Sequence, residues 1–263
     1  MANLIYGLPT WLLGVLTVGI AAVLSALGLV VVHRLVPTDR RRPQNDIAGY
    51  ISNIAAFVYA VLLAFLAVAV WQDYQKAAWA VQLEANAASD VYRQASGYPD
   101  GLRQRIRDGI RAYLDIVIVE EWPVQHRGLI SDAAWRPLVA LHRDLVTFDP
   151  TTVREQVLHT EQLEDMDRLM DQRRIRIHAS RAGLHGVTWV VMLVGSAMVV
   201  AFSFFMGSSN FRAHLAMTMI LGASIGLVIF LILAIDRPFR GGVAIEPDAL
   251  VRVRDNLRHL GGD

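Results

Sequence analysis

Four apolar runs free of Asp, Glu, Lys and Arg occur along the chain in two pairs, and a long charged stretch separates the pairs. Trp11 to Val32 and Ile47 to Val70 form the first pair; Val187 to Met206 and Ala213 to Ile235 form the second. Each is about 20 residues or longer, and a helix rising about 1.5 Å per residue then spans the roughly 30 Å hydrocarbon core of a bilayer. The pattern predicts an all-α, four-pass transmembrane protein.

The second run does not stop at the membrane edge. Trp71, Tyr74, Ala78, Val81, Ala85, Ala88 and Tyr92 continue it in steps of three and four, the seam of a helix packed on neighbours. The breaker Gly97-Tyr98-Pro99-Asp100-Gly101 ends a helix of about 45 residues. Leu102 to Glu121 reads as an amphipathic helix with Arg103, Arg105 and Arg107 outward, stopping at Pro123. Ser131-Asp132 is expected to cap a helix reaching Thr147. Asp149-Pro150-Thr151 opens another that runs past Arg181, with Leu163, Met166, Met170 and Ile177 on one stripe and Gly183 and Gly186 beyond it. No strand-type alternation competes. The resulting organisation is a first membrane hairpin over 1–71, with helices near 11–32 and 47–70. A helical extramembrane bundle follows over 72–186, inserted between the second and third membrane helices and built on extensions of both. A second hairpin covers 187–236, with helices near 187–206 and 213–235, and a tail over 237–263 carries a short amphipathic helix from Pro247 to Leu260.

Composition narrows the chemistry. Of 263 residues, 54 % are hydrophobic, and the excess sits in the four runs. A net charge of +1 supplies no field that would draw the protein to nucleic acid. The absence of cysteine excludes disulfides, iron–sulfur clusters and thiolate zinc sites. Met1 to Pro9 carries no Lys or Arg, and the first run leads to Arg40, Arg41 and Arg42 instead of a small-residue cleavage site, so a retained helix is expected over a signal peptide. Arg34, Arg40, Arg41, Arg42 and Arg212 flank one side of the membrane. Lys76, Arg173, Arg174, Arg176, Arg181, Arg237 and Arg240 flank the other, and this near-balance leaves orientation open.

Catalytic signatures are missing: no phosphate-binding glycine loop, no His-Glu-x-x-His, no nucleophile elbow. His126, His142, His159, His178 and His185 lack metal-ligand spacing and are expected at surface or headgroup positions. The chain reads as a non-enzyme with no cofactor and no metal. His214 and Asp236, at the two ends of the fourth run, are expected at the membrane interface, which leaves no ionisable relay in the membrane cores.

Two constellations stand out. Asn53, Phe57 and Val61 recur at i, i+4 and i+8 on one face of the second membrane helix, and Ala56, Ala60 and Ala64 form a small-residue ridge on the neighbouring face. A pore constriction at Phe57 with Asn53 facing hydrated ions is one reading; ordinary helix packing is the other. Gly222 and Gly226 form a GxxxG suited to helix contact. In the bundle, Arg173 falls on the apolar stripe, where a charge needs a partner, so an ion pair joining Arg173, Arg174 or Arg176 to Glu84 or Glu121 is expected, against the alternative of a solvated charged face.

Several local patterns, in order along nearly the whole chain, resemble the bestrophin-like domain family of bacterial membrane proteins. They are Tyr59-Ala60-Val61-Leu62-Leu63-Ala64-Phe65 leading to Trp71-Gln72-Asp73-Tyr74, then Glu84-Ala85, Tyr92-Arg93, Glu121-Trp122-Pro123 and Arg173-Arg174-Ile175-Arg176. The last and most specific is Ile235-Asp236-Arg237-Pro238-Phe239-Arg240-Gly241. A more distant resemblance is to the bestrophins, pentameric anion channels with four membrane helices and a helical insertion. Counting back from Trp71 places Phe57 where bestrophins carry a neck phenylalanine, flanked here by a polar Asn53 and a small Val61; no counterpart of the acidic calcium clasp is identified. The resemblance implies a homo-oligomer in the lipid bilayer of a bacterial inner membrane, passing inorganic anions through a pore lined by the second helix. It also implies that the bundle and both termini lie in the cytoplasm. The alternative is a non-conducting sensor or scaffold whose bundle binds a partner or small ligand.

Overall fold

A computed structural model describes residues 6–41, 43 and 45–260; Arg42 of the loop arginines and Met1–Ile5 of the N-terminal segment lie outside the described residues. All regular structure among these residues is helical. The elements are α1 (Thr10–Leu35), the single turn α2 (Thr38–Arg41), α3 (Asn45–Gln94), α4 (Asp100–Ile116), α5 (Trp122–His126), α6 (Trp135–Val146), α7 (Val153–Arg181), α8 (Gly186–Phe204), α9 (Phe211–Ile235) and α10 (Asp248–Leu260). Four of these, α1, α3, α8 and α9, are long and apolar enough to cross a membrane. Helix α3 runs for 50 residues without a break, in keeping with the seam that continues past Trp71.

Two compact units divide the chain: Met1–Gln72 with Gly183–Asp236, and Asp73–Ala182 with Arg237–Asp263. The first contains the two membrane hairpins. There α9 lies along α1, and its glycines explain how closely. A Cβ at Gly222 would fall 2.1 Å from Ser25 Oγ and 2.8 Å from the Ala21 carbonyl, and one at Gly226 would fall 2.9 Å from Ala21 Cβ. The two backbones approach because neither glycine has a side chain. Ser25 keeps its hydroxyl satisfied on the Ala21 carbonyl at 2.7 Å.

The second unit is a bundle of the later part of α3 with α4, α5, α6, α7 and α10. Ile106, Ile110, Tyr113 and Leu114 of α4 meet Ala85, Ala88 and Val91 of α3, Leu138 and Leu145 of α6, and Met166 and Leu169 of α7. Leu250 and Leu257 of α10 join the same core, so the tail packs as part of the bundle and does not stand apart from it.

Three boundaries differ from the sequence reading. Pro123 does not stop the helix: Val117–Glu121 forms one wide π-type turn, and the proline then occupies the first turn of α5, where its missing N–H is not needed. Helix α6 begins at Trp135, because Ser131 Oγ accepts from Ala133 N at 3.3 Å in a local turn and does not cap a helix. Helix α7 does not extend into the third membrane helix. It ends at Arg181, Ala182 is extended, and Gly183 to His185 are non-helical before α8 starts. At its other end α7 is held by a full capping box, with Thr152 Oγ1 accepting from Glu155 N and the Glu155 carboxylate accepting from Thr152 N.

Candidate functional site

In the membrane unit one side of α3 is occupied and the other is not. On the occupied side Tyr59 donates to the Met192 carbonyl at 2.5 Å and lies 2.6 Å from Ser196 Oγ, both on α8, while Leu63 and Val70 are buried. A Cβ at Gly195 would fall 2.3 Å from the Tyr59 ring, so that glycine admits the tyrosine. Asn45 ties the start of α3 to the turn between α8 and α9 by two bonds with the Gly207 backbone, at 2.9 and 2.8 Å.

The open side carries Asn53, Phe57 and Val61, with Phe57 71 % and Val61 40 % exposed. Ala60 and Ala64 are exposed on this same side, and Ala56 is half-buried at its border. The alanine ridge and the Asn53–Phe57–Val61 line therefore share one uncovered face. Asn53 lies about 12 Å along the helix from Asn45, within the apolar run. An amide at that depth is costly against hydrocarbon and gains from contact with water or another polar surface.

In the bundle unit the charged residues form one buried cluster. Arg173 reaches Glu121 through two parallel bonds, Nη1 to Oε2 at 2.6 Å and Nη2 to Oε1 at 2.7 Å. Arg176 holds Glu84 in the same forked way, Nε to Oε2 at 2.6 Å and Nη2 to Oε1 at 3.0 Å, and also donates to Gln125 Oε1 at 2.5 Å. A longer contact of 3.4 Å from Arg176 Nη2 to Glu121 Oε2 joins the two pairs. Tyr113 donates to Glu84, and Ala134 N donates to Glu121. The Arg173 guanidinium lies 5.0 Å from the Trp135 ring and that of Arg176 lies 5.2 Å from the Trp122 ring. All four charged side chains are essentially inaccessible to water, and their charges sum to zero.

The seam explains the placement. Glu84 shares the buried stripe of Val81, Ala85 and Ala88, and Arg173 and Arg176 continue the stripe of Met166 and Leu169. Burial pushes the Glu121 carboxyl up, but the hydrogen bonds and charge of Arg173, the Ala134 N–H and the Arg176 charge outweigh it and hold it below its ordinary value. Burial and then the Glu84 charge push the Tyr113 hydroxyl well above its ordinary value, against the opposing pull of Arg176 and Arg173. Arg174 points away and pairs with Asp171 on the surface at 2.7 Å.

The Asp-Arg-Pro-Phe-x-Gly element divides between the units. Asp236 ends α9 buried, and its Oδ1 accepts from Leu184 N at 2.6 Å. Arg237 donates to the carbonyls of Arg181 and Ala182 at the end of α7, at 3.1 and 2.9 Å. The Pro238 carbonyl accepts from Ile245 N at 2.8 Å, Phe239 packs edge-on against Trp122 at 5.7 Å, and Gly241 adopts φ +85°, which other residues rarely do. Tyr74 donates to the Val243 carbonyl at 3.0 Å, and Trp71 is half-exposed. His214 is buried, with Nε2 3.0 Å from the Ser203 carbonyl.

Sequence reasoning missed Tyr113, Gln125, Trp135 and Arg41. Tyr113 was available as the polar member of the buried stripe Ile106, Ile110, Tyr113, Leu114. Gln125 carried no signal, because the π-type turn that brings it inward is not written in the pattern.

The bestrophin-like domain model matches residues 19–250. No curated protein matches the chain. Among solved structures, a single-site mutant of a bacterial bestrophin homologue from Klebsiella pneumoniae is 11 % identical, with 94 % of this chain and 99 % of that one covered and a TM-score of 0.70. A second mutant of that homologue is 12 % identical over 93 % and 98 %, with a TM-score of 0.68. The homologue phased on zinc is 11 % identical over 93 % and 98 %, with a TM-score of 0.66. At such identities the likeness is one of fold.

Proposed function

Because this chain belongs to the bestrophin-like family, whose domain covers 19–250, we propose that it is an ion channel built from several copies, with the open face of α3 lining the pore. The observation that carries this reading is Asn53: an exposed amide inside an apolar span, on a face that none of the described residues covers. Against lipid that amide would be costly; against a column of water it would be satisfied. Phe57, one turn further along, supplies the apolar constriction that blocks flow by dewetting when narrow. Anions are favoured over cations by the bestrophin likeness, and no carboxylate in the apolar run Ile47 to Val70 of α3 opposes them. The same likeness favours a bacterial inner membrane as the location, with the bundle and both termini on its cytoplasmic side.

Planar-bilayer recording of the purified protein beside a Phe57→Ala variant tests the reading. A passive current that rises or loses its closures in the variant is expected. No current from either protein, with insertion confirmed, returns the scaffold reading; identical currents remove Phe57 as the gate.

A further inference from the structure

Arg41, the last residue of α2, is only 4 % exposed, yet none of its contacts is to a carboxylate. Its Nη1 donates to the Phe204 carbonyl at 2.7 Å, and Nη2 lies 3.1 Å from His33 Nδ1 and 3.5 Å from Thr38 Oγ1. Its Nε is buried with no partner. Two histidines share this corner. His33 stacks on Phe211 with ring centroids 4.4 Å apart, and His214 lies buried close enough to feel the Arg41 charge. A guanidinium removed from water with no carboxylate in contact with it is a costly arrangement, and carbonyl dipoles offset only part of that cost.

We propose that this corner is a seat for a phosphate-class oxyanion. Nε–H beside an Nη–H is the side-on fork that two oxygens of one anion accept together. The 3.5 Å Thr38 contact is at the limit of a hydrogen bond and yields readily to a stronger acceptor. The corner is braced: two hydrogen bonds between Asn45 and the Gly207 backbone tie the turn between α8 and α9 to the start of α3, and the His214–Ser203 contact ties the first turn of α9 to the end of α8. The last turn of α1, the end of α8 and the first turn of α9 all meet here, so the seat lies at a membrane edge, where lipid phosphates lie. A phospholipid headgroup and free inorganic phosphate present the same chemistry. The seat does not depend on whether α3 lines a pore.

Native mass spectrometry of the full-length protein in dodecyl maltoside tests this. Three probes are added in turn: phosphatidylglycerol, a phosphate-free galactosyl diacylglycerol, and inorganic phosphate. Retention of phosphatidylglycerol over the galactolipid, falling about tenfold in Arg41→Gln, supports the seat and names a lipid as its source. Retention of inorganic phosphate with the same loss supports the seat and names the free anion. Arg41→Lys keeps the charge but removes the fork; it serves if the glutamine variant fails to fold, and it too is expected to bind more weakly than the native chain. Arg34→Gln, at an exposed arginine ending α1, is expected to leave retention unchanged. The proposal is overturned if no phosphate probe is retained over the galactolipid, if neither Arg41 variant lowers retention, or if Arg34→Gln lowers it equally.

Discussion

Arg173 and Glu121 face each other through two parallel hydrogen bonds of 2.6 and 2.7 Å, with neither side chain accessible to water. The two residues are 52 positions apart in sequence, so the pair fixes α7 against the π-type turn that follows α4. Arg176 and Glu84 repeat the arrangement between α7 and α3. Two charges of each sign in one apolar bundle give little net stabilisation over well-packed apolar residues, because desolvation offsets most of the attraction. What such a cluster supplies is register: α7 cannot rotate or slide without leaving a charge buried alone.

That asymmetry leads to a first prediction. Glu121→Ala strands Arg173, whose Nε already has no partner, and is expected to cost about 3–5 kcal/mol of bundle stability. Replacing both members, Glu121→Leu with Arg173→Met, is expected to cost far less than the single change. Chemical unfolding of the full-length protein in detergent checks this, and a double variant as unstable as the single one would contradict the account.

The pH dependence has a definite sign. The Glu121 carboxyl is held below its ordinary value of 4.5 by Arg173 and Ala134 against the opposing effect of burial, so folding binds fewer protons there than the unfolded chain does. Its contribution is complete above pH 4.5 and is lost as pH falls through the lowered value. Tyr113 works in the opposite sense. Burial and Glu84 raise its hydroxyl well above 10, so its contribution is complete below pH 10 and declines as pH climbs beyond. Melting temperatures of the native protein and Tyr113→Phe are expected to diverge above pH 10, the variant falling less steeply.

The architecture was legible in the sequence because a bilayer demands long apolar helices and a seam demands steps of three and four. The continuity of α3 past Trp71 followed from that seam alone. The Glu121–Trp122–Pro123 segment departs from the pattern because proline normally ends a helix, whereas here a wide turn accommodates it and Trp122 packs against the distant Phe239. The break at Ala182 to His185 is not written in the local pattern for a related reason: Asp236 and Arg237 satisfy the freed backbone groups of Leu184 and Ala182 from elsewhere in the chain. Arg41 looked like one more loop arginine, and only coordinates show it buried.

The two hairpins give a prediction that needs no assumption about transport. Gly222→Val would drive a side chain into Ser25 and the Ala21 carbonyl, both on α1, and overpacking of this kind costs about 1–3 kcal/mol. Gly19→Val is the matched control, since nothing lies within 4 Å of a Cβ there. Thermal aggregation in detergent is expected to shift down for the Gly222 variant and stay near the native value for the Gly19 variant.

The open face of α3 makes the last prediction, which concerns assembly. Ala60 and Ala64 lie exposed beside Phe57, so a second copy approaching along this face meets methyl groups and can come close, as small residues allow in membranes. Ala60→Leu adds bulk at the middle of that approach without touching the Tyr59 anchor on α8, so each chain should fold as before while the copies are held apart. Light scattering of the detergent-solubilised protein is expected to show an oligomer for the native chain and a smaller species for the variant. A native chain that runs as a monomer would leave Asn53 with no water column to face, and the pore would have to be abandoned. An intact oligomer in the variant would instead move the subunit contact off the alanine ridge while leaving Asn53 and Phe57 free to line the opening.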